Sequence, residues 1–243
     1  MKKEQWQKKG AGHRQRLRTK FLERGIESFS DDEVIELLLT LGTPRTDCKQ
    51  AARLALKKFG SLPAVLEAPA SELQEIRGIG PNNIFGLHFI QGVARRYLKQ
   101  NLIGKQYISS SREVADYLIH SMRDLDREVF TAIFLDSSHA IIDSEVLAEG
   151  TISVNTIYPR EVIKAALRHN AAALVIAHNH PSGSLQPSTQ DHRLTRTLFL
   201  ACSLMHINLL DHFIIGKKRE VFSFADEGHM ARIRDQVELE LGG

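Results

Sequence analysis

Two histidines separated by one residue carry the clearest chemical signal in this sequence. His178, Asn179 and His180 follow the apolar run 173–177, whose composition is typical of a buried strand. Side chains two residues apart in a strand point to the same face. His178 and His180 can therefore offer imidazole nitrogens to one ion, while Asn179 points the other way. Such a pair is a weak signal by itself, and its meaning depends on what lies near it.

An acid at the start of the next helix completes a set of metal ligands. Ser188 is suited to cap that helix, which places Asp191, eleven residues after His180, in its first turn and facing back toward the loop. Two imidazoles and one carboxylate suit Zn²⁺ and leave a fourth position open, as catalytic zinc sites do. Zinc lowers the pKa of water to about 7 and so makes hydroxide available at neutral pH. The sequence therefore predicts one Zn²⁺ held by His178, His180 and Asp191.

The elements that must position these residues follow from the hydrophobic pattern, which changes period near the middle of the chain. Up to residue 98 the pattern predicts helices, whereas 128–136 and 140–148 read as a pair of strands. A helix that begins at Pro159 and a strand over 207–216 complete the second half. We therefore predict an all-α N-terminal domain and an α/β C-terminal domain.

Length and composition agree with two domains and exclude several classes of protein. The 243 residues are 42% apolar and 25% charged, which supports a folded core rather than disorder of the whole chain. No apolar run reaches the roughly 18 residues that span a bilayer, and Cys48 and Cys202 are too few for a disulfide framework. We expect a cytoplasmic protein with no membrane partner, and the sequence does not indicate its oligomeric state. The predicted domains are residues 1–104 and residues 105–243, with a linker over 99–109.

Basic residues concentrate in the N-terminal segment, although the net charge is only +3. A basic arm of this kind binds phosphates by releasing counterions, but a solvated and frayed terminus explains the same composition, and the sequence favours that second interpretation. The candidates for nucleic-acid contact within the arm are Arg14, Arg16 and Arg18. The nine Lys or Arg residues of segment 1–24 are Lys2, Lys3, Lys8, Lys9, Arg14, Arg16, Arg18, Lys20 and Arg24.

A second candidate for nucleic-acid binding lies in the helical half. Residues 71–98 read as a helix, a Gly-x-Gly turn and a second helix, which resembles a helix-hairpin-helix element. Glycines such as Gly78 and Gly80 let backbone N–H groups approach a phosphate, and Arg77 adds positive charge. The same glycines would also serve a tight turn between helices that binds nothing, so both interpretations stay open.

The string HNHPSG over 178–183, with Ser188 and Asp191 at these spacings, resembles the JAMM motif of the JAB/MPN metallopeptidase superfamily and is similar to its RadC branch. The resemblance covers about residues 107–228 closely and extends over most of the chain. The other segments that resemble RadC proteins are 12–18, 30–38, 57–62, 149–151, 158–162 and 210–216.

This resemblance implies a cytidine-deaminase-like α/β fold with a mixed sheet, and a zinc-dependent hydrolase that acts on the amide or isopeptide bonds of a protein or peptide substrate. It implies that His178, His180 and Asp191 are the ligands and that Ser188 helps to hold the oxyanion of the tetrahedral intermediate. The family name further implies an association with DNA repair, with DNA bound by the helical region. We expect Asp211 and His212, in the last strand, to make a structural contact rather than to orient a ligand.

Enzymes of this kind also use a glutamate, upstream of the histidines, that takes a proton from water and delivers it to the leaving amine. Glu161 lies in a first helical turn, where the helix dipole already explains an acid, and Glu149 adjoins Gly150 in a turn. Glu145 is an acid in an otherwise apolar strand, so we predict Glu145 as the general base, with Glu149 and Glu161 as the alternatives.

Two other functions fit parts of the sequence. The zinc domain of a DNA-binding protein can be a non-catalytic interaction module, but a complete ligand set with an open position favours catalysis. A metal-dependent nuclease is the other alternative. Its ligand sets are usually rich in carboxylates and suited to Mg²⁺, whereas two histidines and one aspartate suit Zn²⁺.

Overall fold

The computed structural model describes the backbone of residues 2–43, 47–123, 125–150, 157–217 and 220–241, and side chains within these ranges from residue 12 to residue 239. The side chains of Lys2, Lys3, Lys8 and Lys9 lie outside the described residues, as does Thr151 of the segment 149–151. The chain divides into two compact units, Met1–Ala94 and Arg95–Gly243.

The first unit is helical around one apolar core. Buried side chains such as Ile35, Leu39, Val65, Leu73 and Leu87 form that core. The second helix begins where the Ser30 N–H donates to the Glu33 carboxylate at 3.1 Å, which satisfies a backbone group that the helix leaves unpaired. The helices are α1 (Lys2–Arg24), α2 (Asp31–Gly42), α3 (Lys49–Phe59), α4 (Leu62–Glu67), α5 (Ala70–Gln74) and α6 (Pro81–Leu102), with a 3₁₀ turn at Ile26–Ser28.

The second unit is a mixed sheet with helices on both faces, which confirms the predicted fold class. The described strands form a five-stranded sheet in the order β2-β1-β3-β4-β5, in which β3 and β4 are parallel and the other neighbours are antiparallel. The elements in chain order are α7 (Tyr107–Met122), β1 (Val129–Leu135), β2 (Ile141–Glu149), α8 (Pro159–Arg168), β3 (Ala173–Asn179), α9 (Thr189–Leu204), β4 (Asn208–Ile215), β5 (Val221–Ser223) and α10 (His229–Leu241).

Alternation along the strands sends side chains to two cores. On one face, Phe130 and Ile176 pack against α8, α9 and α10, while on the other face Ile133 and Val175 pack against α7. All seven residues of β1 and all seven of β3 are buried, because these central strands are covered on both faces. The carboxyl end of β3, where His178 lies, is therefore held on rigid backbone.

The structure departs from the sequence predictions near the junction of the two units. The division falls inside α6, because Leu98 and Leu102 of its last turns pack into the core that α7 covers. The linker predicted over 99–109 is wrong for most of its length, since α6 continues to Leu102 and α7 begins at Tyr107.

The N-terminal segment also differs from its prediction. Its backbone forms α1 rather than a frayed terminus, because Leu17 is buried and the Arg14 guanidinium donates to the Thr43 carbonyl at 2.7 Å. The sequence analysis missed β5 and α10, which follow the last predicted strand. Among the described residues, no helix is both long enough and apolar enough to cross a membrane.

Candidate metal centre

The carboxyl end of β3 and the first turn of α9 bring three possible metal ligands together. One ligand atom from each of His178, His180 and Asp191 lies within 4.8 Å of the others. The His178 Nε2 atom is 2.9 Å from His180 Nε2 and 3.1 Å from an Asp191 carboxylate oxygen, and the second Asp191 oxygen is 3.5 Å from His180 Nε2. The three side chains that the sequence spacing predicted as ligands therefore converge on one point.

The ring orientation of His180 is set by the loop that follows it. Its Nδ1 atom lies 2.8 Å from the Ser184 carbonyl oxygen. A carbonyl only accepts hydrogen bonds, so Nδ1 carries the proton and donates. In the neutral ring this leaves the lone pair of Nε2 facing the convergence point.

The ring orientation of His178 is set by a buried chain of hydrogen bonds through β4 and α9. Thr195 Oγ1 donates its only proton to the Asp191 backbone carbonyl at 2.6 Å, so it must accept from His212 Nδ1, also at 2.6 Å. The unprotonated Nε2 of His212 then accepts from His178 Nδ1 at 2.8 Å. Thr195 thereby leaves the lone pair of His178 Nε2 directed at the convergence point.

This contact corrects the prediction for His212. We expected His212 to make a structural contact only, but it supports a candidate ligand directly, as partners of metal-binding histidines do. Burial lowers the pKa of His212, and the neighbouring His178 lowers it further, so the ring stays neutral and can accept. Asp211 keeps the structural role that was expected: its carboxylate accepts from Ser223 Oγ at 2.7 Å and from the Ala225 N–H at 2.9 Å.

Asp191 is held by the N-terminal cap of α9. The Ser188 hydroxyl donates to an Asp191 carboxylate oxygen at 2.7 Å, and the Ser188 N–H donates to the same oxygen at 2.6 Å. The Asp191 N–H donates in return to Ser188 Oγ at 3.1 Å, which completes a capping box. The serine that the sequence predicted as the cap thus fixes the carboxylate at the helix start.

The electrostatics of the three side chains favour a bound cation. Burial alone would raise the pKa of the Asp191 carboxyl, but the adjacent imidazoles of His178 and His180, which donate to it only when their Nε2 atoms are protonated, and the Ser188 hydroxyl hold that pKa far below its usual range. The Asp191 carboxylate raises the pKa of His180, as do the Ser184 carbonyl and the negative charge of Glu128, while burial opposes them. Two nitrogen lone pairs that face each other beside an ionised carboxylate are stabilised by a cation shared among them.

The three side chains line a cleft of about 740 Å³ that also contains an acid the sequence analysis missed. Glu128 and Asp126 line this cleft, just before β1. Phe130 of β1 lies opposite His178 of β3 in an antiparallel pair, so the segment just before β1, which carries Glu128, lies at the end of β3 that carries the two histidines. The pairing of β1 with β3 is thus the signal that would have identified Glu128.

Comparisons with known proteins agree over most of the chain. A family model described as a RadC-like JAB domain matches residues 108–229, and one described as UPF0758 N-terminal matches residues 9–85. A UPF0758 protein of Burkholderia cenocepacia is 42% identical over 214 residues, which cover 88% of this chain and 83% of the relative. The chain belongs to the RadC family, whose relatives are named UPF0758 proteins.

Two further relatives extend the likeness to other bacteria. A UPF0758 protein of Vibrio parahaemolyticus is 40% identical over 211 residues, which cover 87% of this chain and 94% of the relative. A UPF0758 protein of Nitrosomonas europaea is 41% identical over 214 residues, which cover 88% and 95% of the two chains. The mixed sheet of this RadC-family chain, with helices on both faces, is consistent with a JAB/MPN fold.

The acid predicted as general base in this RadC-family chain is engaged elsewhere. Glu145 of β2 accepts from Arg168 Nη2, at 2.8 Å and 2.5 Å to its two carboxylate oxygens, and lies 3.1 Å from His169 Nε2. These partners at the end of α8 lower its pKa, His169 first and Arg168 second, so Glu145 is a stably ionised partner in an ion pair. Glu145 is not among the described residues that line the cleft, and neither are Glu149 and Glu161. We therefore correct the prediction for Glu145: a structural ion pair with Arg168 explains why an acid occurs at this position in the strand.

Asn179, between the two histidines, holds the segment that carries Glu128. Its Oδ1 atom accepts from the Val129 N–H at 2.7 Å, and its Nδ2 atom donates to the Arg127 carbonyl at 3.0 Å. Asn179 is fully buried on the opposite face from the histidines, so these bonds replace water completely. The HNH sequence thus directs the two candidate ligands to one side of the chain and directs Asn179, which holds the segment with Glu128, to the other side.

The candidate nucleic-acid residues lie in the helical unit. Arg77, Arg16 and Arg18 are exposed, whereas the Arg14 guanidinium donates to the Thr43 carbonyl. Thr43 lines one cleft together with Gly78 and Gly80, so Arg14 lies near the hairpin. Gly78 has a positive φ of 99°, as a tight turn requires, but the Gly80 N–H donates to Asn83 Oδ1 at 3.0 Å rather than facing solvent. DNA contact by these residues stays a prediction.

Replacing Asn179 tests whether it anchors the Glu128 segment. We expect Asn179→Ala to lower the free energy of unfolding by about 2–4 kcal/mol, because it leaves the buried Val129 N–H and Arg127 carbonyl unpaired. Asn179→Asp keeps the acceptor but sets a carboxylate against the Arg127 carbonyl, so burial raises its pKa in the folded state. Its stability should therefore fall as the pH rises above about 4 and recover on acidification toward that value.

The measurement is urea denaturation followed by circular dichroism at several pH values, with Asn208→Ala, an exposed asparagine of β4, as the matched control. Stability of Asn179→Ala equal to that of the Asn208 control would contradict the anchoring role.

Replacing Thr195 tests the chain of hydrogen bonds behind His178. We expect Thr195→Val to weaken Zn²⁺ binding about 10–100-fold, because His212 then no longer has an acceptor that fixes its tautomer. Thr195→Ser retains the hydroxyl and should bind Zn²⁺ within about threefold of the parent protein.

Competition with a chromophoric chelator measures the dissociation constant in each case. Thr197→Val is the matched control, because the Thr197 hydroxyl makes the same bond to a carbonyl four residues back, at 2.8 Å to Arg193, without contacting a histidine in the part of the chain described. Equal Zn²⁺ affinity of the Thr195→Val and Thr197→Val proteins would show that the chain does not orient the ligand.

Proposed function

We propose that this chain is a zinc-dependent hydrolase that cleaves a peptide or isopeptide bond in a protein or peptide substrate. The observation that carries the proposal is the convergence of His178, His180 and Asp191 in a cleft that also contains Glu128. A cleft of about 740 Å³ admits a segment of extended polypeptide, and its polar residues converge on one point. Membership of the RadC-like JAB family supports a metal-dependent hydrolase fold.

The side chains fit Zn²⁺ better than they fit the other common ions. Two neutral imidazole nitrogens and one carboxylate form a mixed set that suits zinc, whereas Mg²⁺ and Ca²⁺ prefer sets composed of oxygen atoms. Three protein ligands leave room for water or substrate, which is the pattern of catalytic rather than structural zinc sites. When bound, zinc supplies Lewis acidity that polarises a carbonyl group and lowers the pKa of water.

Glu128 is the residue that we propose as general base, in place of Glu145. It lines the same cleft as His180 and immediately precedes β1, the strand that pairs with β3. From this position it accepts a proton from the attacking water and delivers that proton to the nitrogen of the departing amine. Asn179, through the Val129 N–H and the Arg127 carbonyl, limits the movement of this segment during the transfer.

Ser188 has two functions in this proposal. Its hydrogen bonds hold the Asp191 carboxylate at the start of α9. It also lines the cleft, where its hydroxyl would turn from Asp191 to donate its single proton to a carbonyl oxygen that becomes negatively charged, while the Ser188 N–H keeps its bond to Asp191.

Substituting the two glutamates separates the two assignments of the base. We expect Glu128→Gln to lower kcat for peptide hydrolysis by about 10²–10⁴-fold while the protein still binds Zn²⁺, because the amide cannot accept the proton. Glu145→Gln is the matched control and should retain kcat within about threefold, because Glu145 contacts Arg168 and His169 instead.

The readout is cleavage of a peptide library followed by mass spectrometry, together with Zn²⁺ content. Loss of activity in Glu145→Gln with full activity in Glu128→Gln would reverse the assignment.

Plasmid DNA incubated with and without a chelator tests the alternative functions. Chelator-sensitive DNA cleavage would show that the protein is a nuclease rather than a peptidase. A zinc-loaded parent protein that cleaves neither peptides nor DNA would favour a non-catalytic interaction module.

For the helical unit we propose DNA as the partner, as the resemblance to repair-associated proteins implies. Arg16, Arg18 and Arg77 support this proposal, because their exposed guanidinium groups form no hydrogen bond or ion pair with the described part of the chain and can neutralise phosphates. Arg16→Gln with Arg18→Gln should weaken binding of duplex DNA and reduce the slope of log affinity against log salt by about 2. Fluorescence anisotropy measures both quantities, with Lys57→Gln, an exposed change in α3, as the control. An affinity that does not depend on salt would exclude the proposal.

A further inference from the structure

A second cleft in the C-terminal unit is strongly basic and has no role in the proposed hydrolysis. It lies between α9 and α10 and has a volume of about 460 Å³. Among the described residues that line it there is no carboxylate, while arginines and histidines come from both helices. These lining residues are Thr189, His192, Arg193, Arg196, His229, Arg232, Ile233 and Gln236.

The spacing of these residues explains how two helices build one site. Residues 189, 192, 193 and 196 recur every three or four positions, so they occupy one face of α9. Residues 229, 232, 233 and 236 do the same on α10. The two faces meet over Ile233, which is buried in the core, so apolar packing between the helices determines the separation of the charged groups.

Aromatic contacts fix the two histidines at the base of the cleft. The ring centroid of His192 lies 4.9 Å from that of His229 and 5.2 Å from that of Phe224. His229 also contacts Phe222, with centroids 5.6 Å apart, and Phe224, at 5.5 Å. Both imidazoles are therefore half-buried and ordered before any ligand binds, which lowers the entropic cost of binding.

The site brings three arginines and two histidines together on a described lining that contains no carboxylate. Burial lowers the pKa of His229, and the neighbouring His192 and Arg232 lower it further, whereas Glu227 raises it, so the positive charge of the cleft comes from its arginines. Arg193 and Arg232 are exposed at the rim, where their guanidinium groups can reach a ligand. A bound anion would relieve the repulsion among these groups.

The number of donors indicates which anion fits. Each guanidinium offers five N–H donors and each imidazole one or two, whereas a carboxylate has only two oxygens to accept them. A phosphate monoester presents three terminal oxygens and a larger negative charge than a carboxylate, whereas a phosphodiester presents two oxygens and a single charge, so the number of donors favours a monoester. Arginine binds either kind of phosphate in a two-pronged geometry. Thr189 adds a hydroxyl and the positive end of the α9 dipole at the same place.

We propose that this cleft between α9 and α10 is a binding site for a phosphate group. The ligand is a phosphate ester, either a free monoester or the diester of a nucleic-acid backbone. The site adjoins the candidate metal centre through the first turn of α9, because Thr189 and His192 flank Gln190 and Asp191, which line the other cleft. Phosphate binding in this cleft does not require the proposed hydrolytic activity, and the test below does not measure that activity.

The test is isothermal titration of the full chain with inorganic phosphate, adenosine monophosphate, a dinucleotide with one phosphodiester, and glutarate. We expect saturable binding of phosphate or of a phosphate ester at least tenfold tighter than binding of glutarate. Arg232→Gln should weaken it at least tenfold, and Arg232→Lys should restore it only in part, because lysine keeps the charge without the planar fork. Arg234→Gln, two residues along α10 and outside the described lining of the cleft, should change it less than twofold.

Each other outcome has a defined meaning. Tight binding of the dinucleotide identifies a nucleic-acid backbone as the source, whereas binding of the monophosphate alone identifies a free monoester. Three results would overturn the proposal: no saturable binding of any phosphate probe, glutarate binding as tight as phosphate binding, or equal losses in Arg232→Gln and Arg234→Gln. Circular dichroism of the variants checks that the fold is retained.

Discussion

The candidate metal centre depends on one constraint: the imidazoles of His178 and His180, two residues apart at the carboxyl end of β3, must present the same kind of nitrogen to one point. Each ring can do so only if its other nitrogen keeps its proton and donates a hydrogen bond to a partner that accepts it. Ser184 provides that partner for His180 within a short loop, and His212 provides it for His178 from the next strand. The parallel pairing of β3 with β4 and the packing of α9 on the sheet are therefore needed to set the ligand geometry, as well as to build a core.

The polar groups inside this unit form a connected set rather than isolated pairs. Thr195 links α9 to His212, and Asn179 links β3 to the segment before β1. Each of these side chains is buried and fully engaged, so the loss of one partner would leave an unsatisfied group in a region of low dielectric. This arrangement keeps the site rigid, because movement of any ligand would break bonds in more than one element.

Much of this site could be predicted from the sequence, and the part that could not be predicted has a clear physical origin. His178, His180 and Asp191 are close in the chain, and the two-residue period of a strand and the cap at Ser188 are local properties. Glu128 joins them through the register of β1 against β3, a contact between residues about fifty positions apart that local patterns do not encode.

The incorrect predictions have the same origin. An acid in an apolar strand suggested a catalytic role for Glu145, but Arg168 and His169 of a later helix neutralise it there. The sequence placed His212 in a strand without revealing which strand would lie beside it. The predicted strands β1 and β2 and the helix from Pro159 agree with the structure to within about a residue, because hydrophobic period and helix starts are local signals.

Asp191 belongs both to the metal centre and to the first turn of α9, and this shared role links two equilibria. Its carboxylate caps the helix through the Ser188 N–H while it faces His178 and His180. Fraying of that first turn would remove a ligand, and a cation that holds the ligand would oppose the fraying by the same free energy. The occupancy of the ion is thereby coupled to the order of the helix end that separates the two clefts. Ion binding at the first cleft would therefore also stabilise the part of α9 that lines the second cleft.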